Sequence, residues 1–126
     1  MRKLIKNLFN VMFKEGTYSR FRLRSYTREF KHYKQRVVRG WDDSEIWSLD
    51  YTISQFVLPR LKGLKEQKSS HPSTLTEQEW EDIMDKMILA FELNIKDLDD
   101  GLSKEERELM QEGLALFAEY YCSLWD

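Results

Sequence analysis

The chain has a single cysteine, Cys122, among its 126 residues. One thiol closes no disulfide within a chain, so a small secreted fold stapled by bridges is excluded. Cys122 itself is expected as a small buried or half-buried side chain. With His32 and His71 the only histidines, a zinc site of clustered Cys and His has no material. His71 sits in the loop-like run Ser69-Ser70-His71-Pro72-Ser73 and His32 in a basic stretch, so neither spacing offers a Cys/His pair. There are two prolines and five glycines; with so few breakers the composition favours helices. There is no glycine-rich phosphate loop and no nucleophile elbow. No apolar run approaches the roughly 18 residues that a membrane-spanning helix needs. The N-terminus starts basic and turns apolar, but Lys6, Asn7 and Asn10 break the run and no small-residue cleavage site follows. It reads as a retained amphipathic helix of a cytoplasmic protein.

What is present is core material and charge. The hydrophobic fraction is 41% and the aromatic fraction 13%. A chain of this length buries roughly two-thirds of its unfolded surface, enough for one core. The net charge of -2 conceals a segregation. Residues 1–40 carry twelve basic and two acidic residues, a net +10; residues 41–126 carry eight basic and twenty acidic, a net -12. This divides the chain into a basic helical arm, 1–40, and a helical core domain, 41–126. The arm either neutralises the acidic segment of its own chain or faces an anionic partner: nucleic acid, an anionic membrane surface or an acidic protein. The candidate partner-binding residues are Arg20, Arg22, Arg24, Arg28, Lys31, Arg36 and Arg39. Tyr18, Phe21, Tyr26, Phe30 and Tyr33 interleave with them, either as stacking platforms for a single strand or as the buried stripe of an ordinary helix.

Periodicity predicts about five helices. Leu4, Ile5, Leu8, Phe9, Met12 and Phe13 make one apolar face over 3–14. A second helix runs from about Ser19 to Val38 and stops at Gly40, with Phe21, Leu23, Tyr26, Phe30, Tyr33 and Val37 as its stripe. A third starts at Asp42 or Asp43, whose carboxylates suit an N-cap, with Pro59 forcing a kink or break near Val57-Leu58. Capping boxes open the last two helices, Thr76 with Glu79 and Ser103 with Glu106. Trp80, Ile83, Met84, Met87, Ile88, Phe91 and Ile95 line the fourth. Leu109, Leu116, Phe117, Tyr120 and Leu124 line the fifth, which reaches almost to Asp126. Most of Trp41, Trp47, Trp80 and Trp125 are expected as core anchors. The fold class that follows is all-α, a small helical bundle.

Acidic residues recur at helical spacing on the last two helices. Glu79 and Asp82 on one, with Glu105 and Glu108 on the other, resemble the paired carboxylates with which all-α nucleotide pyrophosphohydrolases hold Mg²⁺. The order of the pairs is reversed from that family, and the competing reading is a solvated acidic face. No cofactor is implied otherwise.

The stretch Arg39-Gly40-Trp41-Asp42-Asp43, then Trp47-Ser48-Leu49-Asp50-Tyr51, Leu58-Pro59-Arg60-Leu61, His71-Pro72 and Leu75-Thr76-Glu77-Gln78-Glu79-Trp80, resembles a group of small proteins of tailed bacteriophages and prophages. The resemblance continues through Ile83-Met84-Asp85-Lys86-Met87 and Ala90-Phe91-Glu92, with a similar ending at Gly113–Phe117 and Leu124–Asp126. That group carries no assigned activity, so the resemblance implies a setting and no site residues. It implies an accessory protein in the bacterial host cytoplasm that binds and modulates a host macromolecule. One version is inhibition of a nucleic-acid-handling or defence protein. A separate alternative is a self-assembling structural phage component, the acidic helices of one copy receiving the basic arm of another.

Overall fold

A computed structural model describes residues 20–67 and 69–125 of the chain, with side chains from residue 26 onward. The chain falls into two compact units, Met1–Asp43 and Ser44–Asp126. The helix expected over 3–14 lies outside the described residues. The first unit contains helix α1 (Arg20–Arg39). The second contains α2 (Leu49–Gln67), α3 (Glu77–Asp100) and α4 (Lys104–Glu119). Short 3-10 turns occupy Asp43–Ile46 and Tyr121–Ser123, and no strand occurs among the described residues. The fold is all-α.

Helix α1 ends where its sequence predicts. Gly40 takes φ +83°, a left-handed conformation open to a residue without Cβ, and its N–H donates to the Arg36 carbonyl at 2.9 Å. Helices α3 and α4 begin at the expected capping boxes. The Glu79 N–H donates to the Thr76 hydroxyl, and the Thr76 N–H donates back to the Glu79 carboxylate at 2.7 Å. Ser103 and Glu106 repeat the reciprocal pair. Both carboxyls are held below their ordinary range, Glu79 by the Thr76 N–H and hydroxyl, Glu106 first by the Lys96 ammonium and then by the Ser103 N–H.

Helix α3 is the centre of the second unit, with α2 packed on it and α4 packed on it. Its residues Trp80, Met84, Met87 and Phe91, spaced four, three and four apart, are buried with Leu61 of α2. Ala90 and Leu93 bury an adjacent face against Met110 of α4. Each such large side chain withdrawn from water contributes about 1.5–3 kcal/mol. Aromatic edges close the α4 side: Phe117 meets Phe91 at 5.0 Å between centroids, and Tyr120 meets Trp80 at 5.6 Å. A part-buried polar link crosses the α2–α3 seam, where Asn94 Nδ2 donates to the Ser54 hydroxyl at 2.8 Å and that hydroxyl donates to the Asp50 carbonyl.

Several expectations are corrected. Helix α2 begins at Leu49, not at Asp42 or Asp43, because those carboxylates are taken by basic residues of α1. Of the kink or break expected at Pro59, the break does not occur: α2 runs unbroken to Gln67. Proline removes one donor, the partner of the Gln55 carbonyl; both residues are exposed, so water can replace it. Helix α4 stops at Glu119 and gives way to the turn at Tyr121, short of Asp126. Of the four tryptophans only Trp80 is buried, at 3% exposure; Trp41, Trp47 and Trp125 are exposed. Leu109 and Cys122 are exposed as well.

Helices α3 and α4 approach most closely at Gly113. A Cβ placed there would lie 2.2 Å from the Lys86 carbonyl oxygen and 2.6 Å from the Ala90 Cβ. Neither neighbour is the end of a flexible side chain, so Gly113→Ala must separate the helices and should destabilise the unit by about 1–3 kcal/mol. Thermal unfolding checks this; an unchanged midpoint would mean that the helices are not in contact there. Thr76→Ala removes one cap and should cost about 1 kcal/mol, read as a lower urea midpoint at an unchanged slope.

Candidate functional site

The charge separation directs attention to α1. Within Arg20–Arg39 stand eight basic residues and one acidic, Glu29. Basic residues at its last turn, Arg36 and Arg39, suit the negative end of the helix dipole. Directly after the Gly40 reversal come Asp42 and Asp43, and both carboxylates turn back onto the helix they follow.

Asp43 accepts from Lys31 Nζ at 2.8 Å, from Gln35 Nε2 at 2.8 Å and from Arg39. Its N–H donates in turn to Gln35 Oε1 at 3.0 Å. These donors, Lys31 foremost, then Gln35 and Arg39, hold its carboxyl well below the ordinary range. Asp42 pairs with Arg36 and is 1% exposed; the buried His32 ring lies 4.0 Å away from its other oxygen. The Arg39 guanidinium lies over the Trp41 ring at 3.7 Å and donates to the Trp41 carbonyl. Residues 31, 32, 35, 36 and 39 recur at helical spacing, so all of them share one side of α1.

The other side carries the apolar stripe. Tyr26, Phe30, Tyr33 and Val37 follow one another at intervals of four, three and four residues. All are exposed, Phe30 at 66% and Val37 at 67%. The expected stripe is therefore present and outward-facing among the described residues.

The candidate partner-binding residues thus divide. Lys31, Arg36 and Arg39 are engaged with Asp42 and Asp43. Arg28 is exposed and pairs with no carboxylate among the described residues, as is Lys34. Arg20, Arg22 and Arg24 lie in the first turns of α1 and their side chains are outside the described ones. Counting 20–43 as a whole, eight basic residues face three acidic ones, so this clasp of Asp42 and Asp43 on α1 lowers the charge to +5 without removing it.

The four carboxylates of the metal reading are not brought together. Glu79 is bonded into its cap, Asp82 accepts from Gln78, and Glu108 pairs with Lys104. Lys86 reaches across from α3 to Glu112 of α4 at 2.6 Å, and that contact holds its ammonium above its ordinary range, with Asp82 adding to the effect. A cation thus already sits beside this acidic row. Among the described residues no group of three or more candidate ligands could hold a metal ion. Nor is any helix there long and apolar enough to cross a membrane.

The sequence reading missed the clasp, although its signal was there: two aspartates just past a helix-ending glycine, with basic residues one to three turns upstream.

No known protein family matches the chain, and no curated protein or solved structure matches it either.

The clasp has a definite pH response. Because the Asp43 carboxyl is depressed in the folded protein, its contribution is fully present above the ordinary carboxylate range, roughly pH 4. It is lost as pH falls through that range toward the folded value. The end of α1 should therefore loosen in acid and not in base, and Asp43→Asn should flatten that response. Amide exchange at residues 36–40 between about pH 6 and pH 3, corrected for intrinsic rates, measures it. Equal protection in the wild type and the variant throughout would exclude the clasp.

Proposed function

We propose that the chain is a non-enzymatic binding protein whose basic helix α1 docks on an anionic surface of another macromolecule. The setting is that of the resemblance: a phage accessory protein in the cytoplasm of a bacterial host. There it modulates a host protein or a protein–nucleic-acid complex, one version being an inhibitor of a nucleic-acid-handling or defence protein. In this reading residues 1–40 act as one helical arm, with a further helix over 3–14 ahead of α1.

The observation that carries the reading is the pairing, on one helix, of an exposed apolar stripe with a positive charge that the chain's own aspartates balance only in part. Exposed aromatic and arginine side chains are the residue types that dominate binding hot spots. Surplus charge of one sign steers an oppositely charged partner and makes the association sensitive to salt. Lys31, Arg36 and Arg39 hold the clasp, which leaves Arg20, Arg22, Arg24 and Arg28 as the set whose neutralisation probes the interface without opening it.

Capture from host lysate at low and high salt tests the reading. The bound macromolecule should be released on raising salt from about 50 to 200 mM, with affinity falling on the order of tenfold or more. The variant with all four arginines changed to glutamine should fail to capture it even at low salt. Normal capture by that variant would remove α1 from the interface.

A further inference from the structure

A second exposed apolar stripe occurs in the other unit. Ile46, Leu49, Ile53 and Phe56 follow at intervals of three, four and three residues, and all are exposed, Phe56 at 60%. They lie away from the face on which α2 buries Ser54 and Leu61. The Arg60 guanidinium lies over the Phe56 ring at one end, and Asp50 and Glu66, both exposed, pair with no cation among the described residues.

The two stripes share a repeat of three and four. An interval pattern of three and four keeps a seam on one side of a helix, as in helices that pack along their length. The α1 stripe spans 12 residues, about 16 Å at helical rise; in the second, Ile46 sits in the 3-10 turn ahead of α2, and Leu49, Ile53 and Phe56 lie on the helix itself. Charge then chooses between the possible pairings. Two copies of α1 side by side would bring together sixteen basic residues and two acidic ones, which repels. The unit bearing the second stripe holds eighteen acidic and eight basic residues, net -10. Among the described cations of that unit all but Arg60 are already paired with its own carboxylates.

We propose that α1 of one copy packs through Tyr26, Phe30, Tyr33 and Val37 on the Ile46–Phe56 stripe of a second copy. Each contact sets a basic helix on an acidic unit, and when each copy gives and receives one helix the exchange is reciprocal and closes as an isologous dimer. This goes beyond the binding function above and draws on the same helix, so a second copy and an outside partner compete for it. The self-pairing needs only the purified chain, so its failure leaves an external anionic partner possible.

The test is mass in solution with two variants and their mixture. The wild type should move from the mass of one chain toward that of two as concentration rises. Phe30→Asp removes the giving side and Ile53→Asp the receiving side, so each alone should stay monomeric with its helical circular dichroism retained. Mixed in equal amounts they should regain a dimer, because one intact helix still meets one intact stripe. Phe30→Ala and Ile53→Ala, which remove area without adding charge, should weaken the dimer in the same direction and serve if an Asp variant unfolds. A wild type that is monomeric at every concentration overturns the proposal. So does a dimer that survives either substitution, or a mixture that remains monomeric.

Discussion

The packing of α3 between two neighbours is the constraint on which the acidic unit depends. A helix buried on one side can present charge over most of its circumference. One buried on two adjoining sides has only a strip left for solvent. On α3 the row Trp80, Met84, Met87, Phe91 and the row Ala90, Leu93 take those two sides, and Gly113 lets α4 approach to backbone contact. The carboxylates of α3 are therefore confined to its margins, where Lys62 and Lys65 of α2 and Arg107 of α4 reach Glu92, Asp85 and Asp97. Exposed pairs of this kind add little stability individually. Their effect is to use up the unit's cations on its own acids, which leaves the surplus negative charge uncompensated.

The basic helix shows the converse arrangement. Its charge is eight to one in favour of cations, and the carboxylates that pair with it among the described residues come from the turn that ends it. Asp42 and Asp43 neutralise the last two turns and tie the side bearing His32 and Gln35. The apolar stripe on the other side stays open. The same short run thus fixes where α1 stops and which of its sides is available.

Local physics was legible in the sequence wherever one or two residues decide the outcome. A Ser or Thr three positions before Glu announced both capping boxes, and Gly40 announced the end of α1, because each satisfies backbone groups within a few residues of itself. The buried row of α3 followed from its spacing. What escaped reading was the partner of each group. Asp42 and Asp43 have the chemistry of N-caps, and only the chain reversal at Gly40 hands them to arginines upstream instead. Trp41, Trp47 and Trp125 are as apolar as Trp80, and composition does not say which indole a neighbouring helix will cover. Glu79 illustrates the same limit at the proposed metal ligands. Its spacing to Asp82 suits a metal, but its carboxylate was already required at the helix start.

The lengths of the connections within Ser44–Asp126 bear on the order in which the unit assembles. Helices α3 and α4 are joined by three residues, Gly101 to Ser103, whereas α2 and α3 are separated by the longer stretch between Gln67 and Glu77. Short separations close at low entropic cost and form early, so the α3–α4 hairpin is the natural nucleus and α2 the later arrival. By the same reasoning α2 is the first helix to detach under load, and its departure would lay bare Trp80 and Met84, giving fluorescence of that indole the role of an early reporter of partial opening.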